Sequence, residues 1–297
     1  MIYTVTVNPG IDYYMDLTAP VTPGAIHRAK KEEFYPGGKG INVSILLHRL
    51  GAGTCALGFS AGESGKLLQA LLDCPNALTE LPSGMTRINV KLRGTPETAF
   101  NGAGPEVDEA SLAALLRQLS ALTEDDTLVI SGNLQKNLTA VQLAQAAKRA
   151  RLVVDTTGQA LLDTLPLRPL LIKPNRDELG ELFGCAVKDL DKTLELARKL
   201  QDMGARNVLI SMGEDGALLL AEDGSAFRSV CTEKREVRST VGAGDSMVAG
   251  FLFALPQGAK AALRWGTAAG TATAFGGILA EKAQIEALLP SIRITPL

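Results

Sequence analysis

The sequence predicts an α/β protein built on an open, mostly parallel sheet flanked by helices, with a small β element set against it. Three observations predict this. Short, nearly continuous apolar runs recur at Leu128–Ile130, Leu152–Val154 and Leu170–Ile172, as strands buried on both faces of a parallel sheet require. Amphipathic segments at helical spacing lie between and after them, the alternation that covers such a sheet with helices. Residues 10–36 and 84–103 break the rhythm with short strand-like runs and no helix of useful length between their ends.

Along the chain, Tyr13–Leu17 reads as a strand of the first irregular stretch. Thr86–Leu92 reads as a strand of the second, with Ile88, Val90 and Leu92 on one side. Strands contributed from two separate places predict a lid over the main sheet. A helix over Ser44–Leu50 follows the glycines near residue 38. Leu112, Leu115, Leu116, Leu119 and Leu122 fall on one face of a second helix, and Leu190, Leu194, Ala197, Leu200 and Met203 on one face of a third. An apolar helical run covers Val248–Leu255. With no Pro/Gly/Ser linker, repeat or low-complexity tract, residues 1–297 are expected to form one domain, its lid strands supplied by 10–36 and 84–103.

Composition narrows the chemistry. Thirty basic against thirty-two acidic residues leave a formal charge of −2, and aromatics make up 4%. That is no footprint for nucleic acid. The thirty glycines exceed the usual share and point to tight turns or ligand loops. Cys55, Cys74, Cys185 and Cys231 are too scattered for a zinc or redox motif and read as packing residues. Only His27 and His48 are available to a histidine-dependent metal site or hydrolase. His48, among Leu46, Leu47 and Leu50, reads as structural, and His27 as a solvated lid residue. The longest apolar stretch, Met247–Pro256, is too short to cross a bilayer. The residues before Asp12 lack a basic segment followed by an apolar run. A cytoplasmic protein with reduced thiols and no membrane partner is therefore expected.

Three segments carry candidate chemistry. Ser239–Met247 reads Ser-Thr-Val-Gly-Ala-Gly-Asp-Ser-Met ahead of an apolar helix. Gly242 and Gly244 offer unhindered N–H groups at a helix N-terminus, an arrangement that binds phosphate or a developing anion. Asp245 stands where it can take a proton from a hydroxyl attacking that phosphate. Taken alone, the segment reads equally as a glycine turn with a helix-favouring aspartate. Met247 in the place of a third glycine excludes a dinucleotide fingerprint. Gly37–Val43 again sets glycines before a helix and adds the charge of Lys39 and the amide of Asn42, suiting a polyhydroxylated or phosphorylated ligand. It is not a P-loop, and Gly65-Lys66, followed by Leu67, is not one either. In Lys173–Leu179, Asn175 and Glu178 share a face at a helix start. They can hold hydrated Mg²⁺, although spacing alone favours a simple helix cap.

In order and spacing, these segments resemble the PfkB, or ribokinase-like, carbohydrate kinases over essentially the whole chain. Thr6–Asp12 and Thr86–Leu92 strengthen the likeness, which is closest to the branch acting on fructose 1-phosphate. The resemblance implies a ribokinase-like fold and ATP-dependent conversion of D-fructose 1-phosphate to fructose 1,6-bisphosphate with Mg²⁺. Tagatose 6-phosphate and fructose 6-phosphate are the nearest alternative acceptors, and a non-catalytic sugar-phosphate-binding regulator is the alternative of another class. It implies Asp245 as base and the amides of Gly242, Ala243 and Gly244 as anion hole. Asp12, Gly38 and Asn42 would hold sugar hydroxyls, and Arg87 and Lys39 would bind the resident phosphate, a task suited to arginine, while Lys91 on the second lid stretch is a further substrate-binding candidate. Lys173, Asn175, Ser211 and Gly213 would line the nucleotide, with Asn175 and Glu178 linked to magnesium through water. A homodimer through the lid is also implied. Ala99 replaces a usual acidic residue, and Ser131–Gln135 reads Ser-Gly-Asn-Leu-Gln in place of Ser-Gly-Ser-Leu-Pro. Both departures bear on substrate identity.

Overall fold

The computed structural model describes residues 1–93, 98–132, 134 and 138–297. The strands are β1 (Ile2–Thr6), β2 (Gly10–Leu17), β3 (Ala29–Gly37), β4 (Thr54–Ser60), β5 (Asn76–Glu80), β6 (Arg87–Arg93) and β7 (Thr98–Phe100). They continue as β8 (Thr127–Ser131), β9 (Arg151–Asp155), β10 (Leu171–Ile172), β11 (Val208–Ser211), β12 (Ala217–Leu220), β13 (Ala226–Cys231) and β14 (Ile292–Pro296). The helices that matter most are α1 (Lys39–Leu50), α2 (Gly62–Leu71), α3 (Glu109–Ser120), α4 (Ala140–Ala146), α5 (Gly158–Leu162), α6 (Arg176–Phe183), α7 (Leu190–Asp202), α8 (Ala243–Ala254) and α9 (Ala259–Gly276).

Ten strands form one sheet in the order β14-β13-β12-β11-β10-β9-β8-β1-β4-β5. From β5 to β11 every pairing is parallel, and β12 to β14 close the far edge antiparallel. The apolar runs are continuous because both faces are covered. Leu128 and Ile130 face one core layer, with Leu115, Leu143 and Leu196 from the helices. Val129 between them faces the other, with Leu46, Val248 and Phe251. Among the described residues, no helix is long and apolar enough to cross a membrane.

The two irregular stretches meet in a separate four-stranded sheet, ordered β3-β2-β6-β7. Strands β2 and β6 run parallel, pairing Gly10 with Arg87, Asp12 with Asn89 and Tyr14 with Lys91. Ile11, Ile41, Ile45 and Leu68, with Ile88 beside them, seat this lid on α1 and α2.

Local differences from the sequence reading have simple causes. Helix α1 begins at Lys39, five residues before the expected start, because Gly38 serves as its N-cap. The buried face of α7 is Thr193, Leu196, Ala197 and Leu200, while Met203 lies exposed beyond its end. Leu122 is buried but follows the end of α3. His48 points to solvent from α1, so it is not a packing residue. His27 accepts a hydrogen bond from the Thr22 backbone N–H at 3.0 Å in the exposed turn between β2 and β3. The four cysteines are free, and only Cys74 is fully buried.

Candidate active site

Two helix N-termini and three strand ends converge beneath the lid. Gly242 caps α8 with φ at 76°, a left-handed conformation that glycine adopts without strain. At the start of α1, a Cβ on Gly38 would lie 2.6 Å from Thr6 Cγ2, so only glycine lets the helix approach β1 this closely. The Thr6 hydroxyl then accepts the Ile41 N–H at 3.0 Å. This contact fixes the direction of α1 and with it Asn42. Asn42 Nδ2 donates to Asp245 Oδ2 at 2.8 Å, joining the two helix starts.

Asp245 is 5% exposed. Burial pushes its carboxyl up to about 6, and the charge of Asp155 adds to the rise, while the Asn42 hydrogen bond, Lys39 and Lys173 oppose it. Lys173 is buried where the chain leaves β10. Burial works against its ammonium, yet Asp155 and Asp245 hold its pKa above the ordinary lysine value, so it stays charged. Its Nζ lies 3.1 Å from Asp155 Oδ1 and 3.1 Å from where a Cβ on Gly244 would stand. Lys39 Nζ approaches the other Asp155 oxygen at 3.8 Å. Ser131 Oγ, Asp155 Oδ2 and Thr156 Oγ1 are buried without a hydrogen-bond partner. Such orphaned groups call for a ligand or water, and these gather where β8 and β9 end. The carboxyl ends of parallel strands are where open α/β sheets bind ligands.

On the lid side, Asp12 accepts from Asn89 Nδ2 at 2.8 Å and from Lys91 Nζ at 2.8 Å. Lys91 therefore spends its charge on Asp12 before any ligand arrives. Arg87 is packed between Gly10 and Gly102, where Cβ atoms would come within 2.9 and 3.0 Å of its side chain. Burial lowers its pKa against the opposing pull of Asp12, and its Nε is buried without a partner. Asp12, Tyr14, Tyr35, Asn42 and Gly242 line one cleft between lid and α8. Ala99 is exposed opposite Lys91. Asn133 and Gln135 lie outside the described residues.

The remaining predicted residues form a neighbouring edge. Asn175 Oδ1 accepts the Glu178 N–H at 2.8 Å and Glu178 Oε2 accepts the Asn175 N–H at 2.8 Å, a reciprocal cap on α6. Asn175 pairs through its backbone with Ser211, and Gly213 opens the next turn with φ at 60°. The sequence-level cap reading of Asn175 and Glu178 is thus correct as geometry. It leaves a partly exposed pair of hard oxygen donors. Among the described residues, no three His, Cys, Asp or Glu side chains cluster as a metal cage. This donor set fits Mg²⁺, which keeps most of its waters, better than Ca²⁺ or Zn²⁺.

Sequence reading missed Asp155 and Asn89. Asp155 had a signal, a carboxylate closing the apolar run of β9. Asn89 had none, since its role depends on the register of β2 with β6.

A glycine-capped helix start carrying a buried carboxylate, at the open end of a parallel sheet beneath a β lid, is an arrangement suited to phosphoryl transfer. The model of the pfkB family carbohydrate kinases matches residues 6–281, and the chain belongs to that family. It is 40% identical over the full length of both chains to 1-phosphofructokinase of Bacillus subtilis. It is 34% identical, again over the full length of both, to D-tagatose-1-phosphate kinase of Bacillus licheniformis. Phosphofructokinase-2 of Escherichia coli, solved with substrates and products, superposes with a TM-score of 0.90 at 28% identity, covering 97% of this chain and 98% of that one.

Proposed function

We propose that the protein transfers the γ-phosphoryl group of ATP to D-fructose 1-phosphate, giving fructose 1,6-bisphosphate and ADP. The observation that carries this reading is the buried Asp245 carboxylate, held by Asn42 one residue beyond the Gly242–Gly244 amides. The free hydroxyl oxygen at C6 attacks the γ-phosphorus and a new P–O bond forms. The bond from that phosphorus to the β–γ bridging oxygen breaks, and its electron pair leaves with ADP. Asp245 takes the hydroxyl proton. The amides of Gly242, Ala243 and Gly244, at the positive end of α8, carry the charge on the transferring group.

Asp12 and Asn42 receive the sugar hydroxyls, with Gly38 allowing close approach. Arg87 binds the resident phosphate, its orphaned Nε already stripped of water. Lys39 completes that clamp, and Lys91 acts through Asp12. Lys173, Ser211 and Gly213 border the nucleotide. When bound, Mg²⁺ neutralises phosphate charge, and Asn175 and Glu178 are the residues that hold it, through its waters. The exposed Phe34 and Phe100 on the lid support pairing of two copies there.

The full-length likeness to 1-phosphofructokinases supports fructose 1-phosphate as acceptor. The likeness to D-tagatose-1-phosphate kinases supports a second reading, its C4 epimer. An ADP-release assay with fructose 1-phosphate, tagatose 1-phosphate, fructose 6-phosphate and tagatose 6-phosphate tests both. The highest kcat/KM is expected for fructose 1-phosphate. A higher value for any of the others overturns the acceptor assigned, and binding without ADP release would make the protein a sensor.

A further inference from the structure

We propose that Asp155 is a positioning residue for phosphoryl transfer, a buried hub whose two carboxylate oxygens hold Lys173 and Lys39 on either side of the reacting groups. The proposal rests on the kinase reading above and adds a residue to it. Asp155 ends β9, 2% exposed, in register with Ser131 of β8, and its backbone carbonyl accepts the Gly132 N–H at 3.1 Å. The carboxylate is thus anchored by the sheet itself. Its two lysines come from unrelated elements, Lys39 from the first residue of α1 and Lys173 from the loop after β10.

The division of labour between the oxygens argues against a plain structural ion pair. Oδ1 holds the buried Lys173 at 3.1 Å, which sets that ammonium against Gly244 in the anion loop. Oδ2 is buried without a hydrogen bond, and the half-exposed Lys39 stands off at 3.8 Å. A pair serving stability alone gains little over apolar packing and has no reason to leave an oxygen unsatisfied. One cation is locked and the other is loosely tethered, able to swing to an arriving phosphate while Asp155 keeps Lys173 in place. The stem of Lys39 runs along Gly132, where a Cβ would lie 3.8 Å from three of its carbons.

The same hub acts on the base. The groups facing Asp245 are Lys39 and the neutral Asn42 from α1, Asp155 from β9, and Lys173. Asp155 disfavours ionisation of Asp245, and the two lysines favour it. Removing Asp155 or Lys173 therefore moves the titration of Asp245 in opposite directions, which loss of packing alone does not do.

The test uses Asp155→Asn, Lys173→Met, the double variant and Asp155→Glu. Asp245 is titrated in the ligand-free protein by carboxyl infrared difference spectra, its band identified by absence in Asp245→Asn. The midpoint should fall in Asp155→Asn by about half a pH unit, roughly threefold in proton affinity, and rise in Lys173→Met, the double variant lying between. With the best phosphosugar, kcat of Asp155→Asn should drop at least ~10-fold while KM stays within about threefold, and Asp155→Glu should recover part of the loss. Midpoints that stay put or move together overturn the proposal, as does an undiminished kcat in Asp155→Asn. Should Asp155→Asn fail to fold, Lys173→Met and the double variant still decide the sign. Absence of transfer by the wild type would refute the kinase reading, and the titration would still decide the role of Asp155.

Discussion

Asp245→Asn separates activity from stability at a single position. The amide keeps the shape and can still accept the Asn42 hydrogen bond, but it cannot take a proton. Base catalysis is worth ~10²–10⁴-fold, so kcat should fall by that factor with KM for the phosphosugar nearly unchanged. Stability should move the other way. The carboxyl titrates at about 6 in the fold, against about 3.8 in an unfolded chain, which takes up its proton less readily. Between those two values the native state binds more protons, so the wild type loses stability as pH rises from about 4 to about 6 and stays on the lower plateau above. Two units at 1.36 kcal/mol each set an upper bound on the order of 3 kcal/mol for the strain released by the amide. Thermal unfolding at pH 8 should show Asp245→Asn melting several degrees above wild type, the gain vanishing near pH 4. A coupled ADP assay and melts across pH 4–8 check both halves. A variant keeping a tenth of wild-type kcat, or one no more stable at pH 8, would refute the reasoning.

Three further outcomes follow from the same geometry. Asn42→Ala removes a hydrogen bond that favours the ionised base, so the acid limb of the kcat/KM profile should shift upward, with kcat at pH 6 lost more heavily than at pH 8. Arg87→Ala should raise KM for the phosphosugar at least ~10-fold with a smaller effect on kcat, because a resident phosphate is held equally in ground and transition states; steady-state kinetics against acceptor concentration reads this. Hydrogen exchange in β2, β3 and β6 should slow when fructose 1-phosphate is added, while α7 changes little. Protection confined to the start of α8 would detach the lid from substrate binding.

The parts legible in the sequence are those that local chemistry dictates. Apolar runs such as Leu152–Val154, short and largely β-branched, read as buried strands, and a glycine pair before an apolar helix marks a helix start that suits an anion but reads equally as a plain turn. Two stretches without helices, 10–36 and 84–103, announced a second sheet because no βαβ unit could contain them. The amphipathic pattern of Leu190–Met203 gave the helix and most of its core-facing side, with Leu190, Leu194, Ala197 and Leu200 against the core, and missed that Thr193 and Leu196 pack inward and that Met203 does not. What stayed hidden depended on distance through space. Lys91 reads as a substrate ligand until the parallel register of β2 with β6, which sets it opposite Tyr14 and diagonally from Asp12, brings its Nζ within 2.8 Å of that carboxylate. Asn89 is one amide among many until the same register gives it Asp12 on one side and the Gly102 N–H on the other.

Asp155 marks the boundary between the two kinds of information. Its place at the end of an apolar strand is written in the sequence, and the carboxyl edge of a parallel sheet is where a ligand is expected. Its meaning is not written there. One carboxylate facing two lysines from α1 and the loop after β10, near a base whose ionisation it opposes, exists only once three strand ends and a helix start are assembled. Those neighbours set how readily the Asp245 carboxyl ionises, and with it the strength of the base proposed there. The same Gly-Ala-Gly-Asp segment on another sheet edge would keep its amides and lose its chemistry.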